Sequence, residues 1–181
     1  MKVYLVRHAE ALEKQADKRR PLSAAGRKSA RDLARWLRSQ NIQVHAIWHS
    51  PKLRAVQTAR EIAAKLKPSG GLVQRADIKP MSRPGRVIRD LRRESVDIML
   101  VGHLPHLGRL AGKLLRWDDA LEFLCLTKPG VAMVENREDG RWILGWLAGE
   151  NFFTKTLPNH NTASIISDDK DLETSTRGAP E

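Results

Sequence analysis

The feature that most constrains the fold is a short apolar run near the start of the chain, residues 2–6, which ends in the pair Arg7 and His8. An apolar, β-branched run of this length is typical of a fully buried strand. In a parallel α/β sheet the carboxyl ends of the strands open onto the ligand crevice. The pair is therefore predicted to lie beside a ligand.

Apolar runs and segments with helical periodicity then alternate along the chain, and this alternation predicts a mostly parallel sheet covered by helices. The further predicted strands are residues 44–50, 72–74 and 97–102. The predicted helices are residues 24–39, 53–66, 85–93 and 106–116, with Ser23 as the cap of the first. Residues 11–20 have no clear period and are expected to form a loop or short helix over the mouth of the crevice.

Residues 130–134 and 142–147 flank the dipeptide Asp139-Gly140, which is a strong signal for a β-hairpin. The predicted fold is a three-layer α/β sandwich with a mostly parallel central sheet and an antiparallel C-terminal edge. One domain is expected over residues 1–158. The polar tail, residues 159–181, has few apolar residues and is expected to be disordered.

Cysteine content and hydropathy indicate a cytoplasmic protein. The single cysteine, Cys125, allows no disulfide within the chain and is expected to be a small buried hydrophobe. No apolar stretch approaches the roughly 20 residues that a membrane span needs. A membrane is therefore not an expected partner.

The chain carries a net charge of +11 over 181 residues, and the excess lies outside the tail, which has five acidic and two basic residues. Such a charge suits an anionic partner. The basic clusters at 18–20 and 89–93 have no interleaved aromatic residues, so a nucleic-acid partner is not favoured. Most of these charges are expected on solvated helix faces.

Two predicted strand ends and one helix start can bring four side chains to one crevice: Arg7, His8, Arg54 and His103. Arg54 falls in the first turn of a predicted helix, where a cation opposes the helix dipole. This placement makes sense if an anion is shared between Arg54 and the helix end. No Cys/His spacing indicates a metal site, and no cofactor is predicted.

Three separate motifs carry a family resemblance: Arg7-His8, Ser50-Pro51 followed by Arg-Ala-Val-Gln-Thr-Ala at 54–59, and Val-Gly-His-Leu-Pro at 101–105. The chain resembles the histidine phosphatase superfamily, which has the phosphoglycerate mutase-like fold. Its short length and the stretches at 20–23 and 102–105 are similar to the phosphohistidine phosphatase (SixA) group. The resemblance covers roughly residues 1–150.

The resemblance implies that His8 is a nucleophile that becomes phosphorylated, and that Arg7, Arg54 and His103 bind the phosphoryl oxygens without a metal. Arg20 is expected as another phosphate ligand. Glu10 is expected either to orient the His8 ring or contact Arg7, or to be a surface carboxylate.

The sequence departs from the family pattern at two places. Ala9 replaces the usual glycine after the nucleophile, which would cost strain of order 1 kcal/mol if that position needs a positive φ. No carboxylate occurs at 78–82, where relatives that act on alkyl phosphates carry a proton donor; Asp77, His106 and Glu10 are the remaining candidates.

An alkoxide leaving group needs a proton in the transition state, whereas a protonated phosphoimidazole departs as neutral imidazole. We therefore expect a phosphatase that removes phosphate from phosphohistidine on a protein partner, with the basic surface steering an acidic partner. The alternatives are a phosphatase for small phosphomonoesters and a non-catalytic module that binds phosphate or nucleic acid.

Overall fold

The computed structural model describes residues 1–116, 124 and 126–154. Its centre is a six-stranded sheet made of β1 (Lys2–Arg7), β2 (Ala46–His49), β3 (Leu72–Gln74), β4 (Ile98–Gly102), β5 (Gly130–Asn136) and β6 (Trp142–Ala148). The strand order is β3-β2-β4-β1-β5-β6. The first four strands in this order are parallel, β5 is antiparallel to β1, and β6 is antiparallel to β5. The predicted antiparallel C-terminal edge is confirmed.

Helices cover both faces of the sheet. They are α1 (Ala24–Ser39), α2 (Leu53–Leu66), α3 (Gly85–Leu91), α4 (His106–Leu115) and α5 (Glu150–Thr154), with a 3-10 turn at Ala76–Ile78. One core cluster joins α1 and α2 to the sheet through residues such as Leu33 and Ile62. A second cluster joins α3 and α4 to the opposite face through residues such as Leu91 and Leu110. The predicted three-layer sandwich is therefore confirmed.

Most predicted boundaries agree with the structure, and α2 has the predicted bounds. Strand β2 is shorter than predicted because its pairing with β4 begins only at Ala46, opposite Ile98. Helix α3 ends two residues early, with Arg92 as its C-cap. The predictions for Cys125, for the domain boundary after residue 158 and for the tail lie outside the described residues. Among the described helices, none is long and apolar enough to cross a membrane.

The start of α1 is fixed to the chain that follows His8. The Ser23 hydroxyl accepts a hydrogen bond from the Gly26 N–H at 2.9 Å and donates to Glu10 Oε1 at 2.6 Å. The Ser23 N–H also donates to the Glu10 carbonyl at 3.2 Å. Gly26 allows this approach, because a Cβ at that position would lie only 2.0 Å from the Glu10 carbonyl oxygen.

We predict that Gly26→Ala destabilises the protein by about 1–3 kcal/mol or more, because the clashing atom belongs to the backbone and has little room to move. The matched control is Gly85→Ala at the start of α3, where an added Cβ meets nothing within 4 Å. This control should leave the free energy of unfolding within about 1 kcal/mol of the wild type. Urea denaturation of the three proteins measures both effects, and equal changes would contradict the close approach.

Candidate active site

The carboxyl ends of β1 and β4 bring two histidines into contact. The His8 N–H donates to the Gly102 carbonyl at 3.0 Å, which continues the β1–β4 ladder by one residue. The rings of His8 and His103 stand edge to face, with centroids 4.8 Å apart and planes at 61°. Both side chains are buried.

The two nitrogens of the His8 ring have different partners. Nδ1 lies 2.7 Å from the Ala9 carbonyl oxygen and donates to it. Nε2 accepts a hydrogen bond from Arg54 Nε at 3.1 Å. Since a carbonyl only accepts and a guanidinium only donates, the ring carries its proton on Nδ1 and its lone pair on Nε2. The nitrogen facing the arginine is thus the one that could act as a nucleophile.

Burial keeps His8 neutral. The pKa of His8 is lowered to about 4, chiefly by burial and also by the charges of Arg54, Arg7 and Lys128, while the hydrogen bond to Ala9 opposes the shift. The lone pair on Nε2 is therefore available at neutral pH.

Thr58 fixes Arg54 relative to His8. Its hydroxyl accepts a hydrogen bond from the Ala9 N–H at 3.1 Å and donates to the Arg54 carbonyl at 2.8 Å. Ala9 itself is fully buried, and it is not among the non-glycine residues with a positive φ. The strain expected for alanine at this position therefore does not arise.

The cations of the site come from separate parts of the chain. Arg7 at the end of β1 donates from Nη1 to the Leu126 carbonyl at 2.5 Å. Arg54 belongs to the first turn of α2, and its pKa is lowered by burial and by the charge of Arg20. As a guanidinium it stays charged, so burial concentrates positive charge beside the His8 lone pair.

His103 follows β4 directly and lies against the end of β2. Its Nε2 is 2.8 Å from Ser50 Oγ. The pKa of His103 is lowered to about 2, chiefly by burial, and the charges of Arg54 and Lys52 act in the same direction. This ring is also neutral at neutral pH.

The structure brings Arg20 within electrostatic reach of Arg54 and pairs the Glu10 carboxylate with Ser23. Arg20 Nε donates to the Leu12 carbonyl at 3.0 Å, and its charge reaches Arg54. The Glu10 carboxylate accepts from the Ser23 hydroxyl, while the Ala9 carbonyl orients the ring that Glu10 was expected to orient. The roles of Arg20 and Glu10 in substrate binding stay predictions.

None of the three candidate proton donors is poised as an acid. Asp77 accepts two hydrogen bonds from Arg75, at 3.0 and 2.7 Å, and these hold its pKa below the usual range, so it is ionised. His106 bonds the Ser82 carbonyl through Nδ1, and burial lowers its pKa. Glu10 is engaged by Ser23, as described above.

Four residues beside the site were not predicted from the sequence: Ser50, Lys52, Thr58 and Lys128. Ser50 could have been found, because it follows β2 as His8 and His103 follow their own strands. Thr58 lies four residues after Arg54 on a predicted helix, and this spacing predicts that the two residues are neighbours on the helix surface. No sequence pattern points to Lys52 or Lys128.

Together these residues form a small basic site in which His8 Nε2 is unprotonated. Guanidiniums present planar sets of N–H donors that match the oxygens of a tetrahedral anion. The His8 Nε2 lone pair lies among them. The arrangement suits attack of that nitrogen on a bound phosphoryl group, with the cations balancing the charge on the oxygens.

The chain is similar to known phosphatases. The model of the histidine phosphatase superfamily (branch 1) matches residues 3–79. Phosphohistidine phosphatase SixA of Escherichia coli (strain K12) is 29% identical over 151 residues, which are 81% of this chain and 92% of that protein. A structure of the protein histidine phosphatase SixA complexed with tungstate matches with a TM-score of 0.73 at 29% identity, over 83% of this chain and 98% of that chain.

The same fold occurs in a phosphoserine phosphatase mutant from Entamoeba histolytica in complex with phosphoserine. That structure matches with a TM-score of 0.67 at 17% identity, over 83% of this chain and 98% of that chain. The fold, the order of the three motifs and the SixA relatives agree with one another. They indicate a hydrolase that is similar to the histidine phosphatase superfamily.

Proposed function

We propose that the protein removes phosphate from phosphohistidine on a partner protein, through a phosphohistidine intermediate on His8. The observation that carries the proposal is the His8 ring, which is buried and neutral and has its Nε2 lone pair facing Arg54. Similarity to phosphohistidine phosphatase SixA supports the same substrate class.

In the first step, Nε2 of His8 attacks the phosphorus atom and the bond from phosphorus to the substrate imidazole breaks. A substrate ring protonated on its other nitrogen leaves as neutral imidazole, so the enzyme need not supply a proton. Arg54 gives up its hydrogen bond to Nε2 and, with Arg7, balances the charge on the phosphoryl oxygens. Water then attacks phosphorus, the bond to Nε2 breaks, and phosphate leaves with His8 neutral again.

The engagement of Asp77, His106 and Glu10 favours phosphohistidine over an alkyl ester. An alkoxide leaving group needs an acid, and general acid catalysis is worth about 10²–10⁴-fold in rate. Without an acid in position, hydrolysis of an alkyl ester loses this rate enhancement. Hydrolysis of phosphohistidine does not, because its leaving group needs no proton from the enzyme.

A protein substrate is supported by exposed cations around the site. Lys52 and Lys128 are exposed, and their charges reach the two site histidines. Such a rim attracts an acidic partner surface and raises the association rate. The cytoplasmic location stays a prediction from the sequence.

The direct test compares phosphate release from a protein carrying phosphohistidine with release from a generic aryl phosphate and from phosphoserine. We expect a strong preference for phosphohistidine. A preference for an ester would replace this proposal with small-molecule phosphomonoesterase activity.

Rapid quenching should trap an acid-labile phosphoryl group on the wild type, and His8→Ala should abolish it. The matched control is His45→Ala, because His45 lies just before β2 and bonds Ser69 instead of a site residue. A phosphoenzyme that survives His8→Ala would refute the role of His8. Binding of phosphoprotein without any turnover would indicate a non-catalytic module.

The His8 ring should titrate with a midpoint near pH 4 in the folded protein, well below the ordinary value of 6.5. Because the folded pKa lies below the unfolded one, the unfolded chain binds more protons between these values, and His8 lowers stability as the pH falls from about 6.5 toward 4. NMR of the His8 ring protons, assigned with His8→Ala, measures the midpoint. A midpoint near 6.5 would contradict the neutral buried ring.

Replacing Arg54 by lysine keeps the charge and removes the Nε–H and the planar set of donors. We predict that phosphoenzyme formation slows by about 10²-fold or more, the usual effect of losing a donor to transition-state oxygens. Arg60→Lys, an exposed position on the same helix, should change the rate less than about twofold. Rapid-quench rates measure the effect, and similar rates for the two variants would remove Arg54 from the reaction.

A further inference from the structure

The Ser50 hydroxyl is buried from solvent and has few hydrogen-bond partners. Ser50 is fully buried at the end of β2. Its Oγ accepts a weak hydrogen bond from the Lys52 N–H at 3.3 Å and lies 2.8 Å from His103 Nε2. Within the part of the chain that the structure describes, these are the polar contacts of the hydroxyl.

The two contacts determine which atom carries the proton between Ser50 and His103. A hydroxyl has one proton to donate, and the Lys52 N–H is itself a donor. Among the described residues, His103 Nε2 is therefore the one acceptor available to the Ser50 proton. If Nε2 carried a proton instead, Oγ would face two donors and its own proton would be buried without an acceptor, which is costly.

It follows that Ser50 donates to Nε2 and that the neutral His103 ring carries its proton on Nδ1. This nitrogen is buried and has no hydrogen-bond partner among the residues described. The ring that bears it is in contact with the His8 ring. An N–H donor that lacks an acceptor here can be satisfied by an anion entering the site.

We propose that Ser50 is a positioning residue that holds His103 in its Nδ1–H tautomer, so that His103 donates a hydrogen bond from Nδ1 to a phosphoryl oxygen. The choice of a phosphoryl oxygen as the acceptor rests on the proposed function. His103 then contributes a hydrogen bond to the bound group, and the arginines contribute the charge. No earlier step assigns a role to Ser50.

The tautomer of His103 can be measured by NMR without any enzymatic turnover. We expect the ¹⁵N NMR shifts of His103 in the wild type to show a protonated Nδ1 and an unprotonated Nε2 at neutral pH. Addition of inorganic phosphate should move the Nδ1 resonance more than the Nε2 resonance. A wild-type ring protonated on Nε2 would overturn the proposal, and this measurement needs no variant to fold.

Variants test the role of the hydroxyl. In Ser50→Ala, His103 should lose its preference for the Nδ1–H form, and inorganic phosphate should bind about tenfold more weakly. Ser50→Thr, which keeps the hydroxyl, should restore both properties to near wild type. The matched control is Ser69→Ala, which removes a serine hydroxyl from the exposed pair of Ser69 and His45 and should leave both properties unchanged.

If Ser50→Ala keeps both the tautomer and the phosphate affinity of the wild type, the proposal is wrong. A protein that shows the expected tautomer and phosphate response, yet does not form a phosphoenzyme from phosphohistidine, would refute the proposed function and leave this inference standing. The two failures are thus separable.

Discussion

The site depends on the parallel pairing of β1 and β4. Their register sets Arg7 opposite Gly102, so the next residue of each strand is a histidine, and the two rings meet at one edge of the sheet. Strand β2 pairs with the other side of β4, and Ser50, the residue after β2, lies next to His103. A slip of one residue in either pairing would turn these side chains to the opposite face of the sheet and separate them.

Burial and nearby cations give the site its chemistry. A solvent-exposed imidazole is half protonated at its ordinary pKa. Burial beside Arg54 and Arg7 instead keeps His8 neutral. The same low-dielectric setting strengthens the attraction between the arginines and a bound anion. One set of charges thereby keeps His8 Nε2 unprotonated and favours the binding of an anion beside it.

Much of the fold could be predicted because its local signals agree with one another. The period of α2, the Ser23 cap and the Asp-Gly turn of the β5–β6 hairpin each appear in the structure. The proximity of Arg7, His8, Arg54 and His103 could be predicted because each ends or follows a strand or lies in the first turn of a helix, and the topology brings these positions to one edge of the sheet.

The remaining contacts depend on tertiary structure that no local pattern encodes. The contact of Ser50 with His103 requires β2 to lie beside β4, which chain order alone does not reveal. Lys128 reaches the site only because the chain returns into β5, antiparallel to β1. The pairing of Asp77 with Arg75 spans two residues, yet whether it forms depends on how the chain turns after β3.

The hydrogen bond from Arg54 to His8 Nε2 has a consequence for selectivity. The lone pair of Nε2 is engaged by the Arg54 Nε–H. An anion whose oxygens accept hydrogen bonds from the same guanidinium would compete for this donor and release the lone pair. Binding of the anion and release of the nitrogen would then occur together.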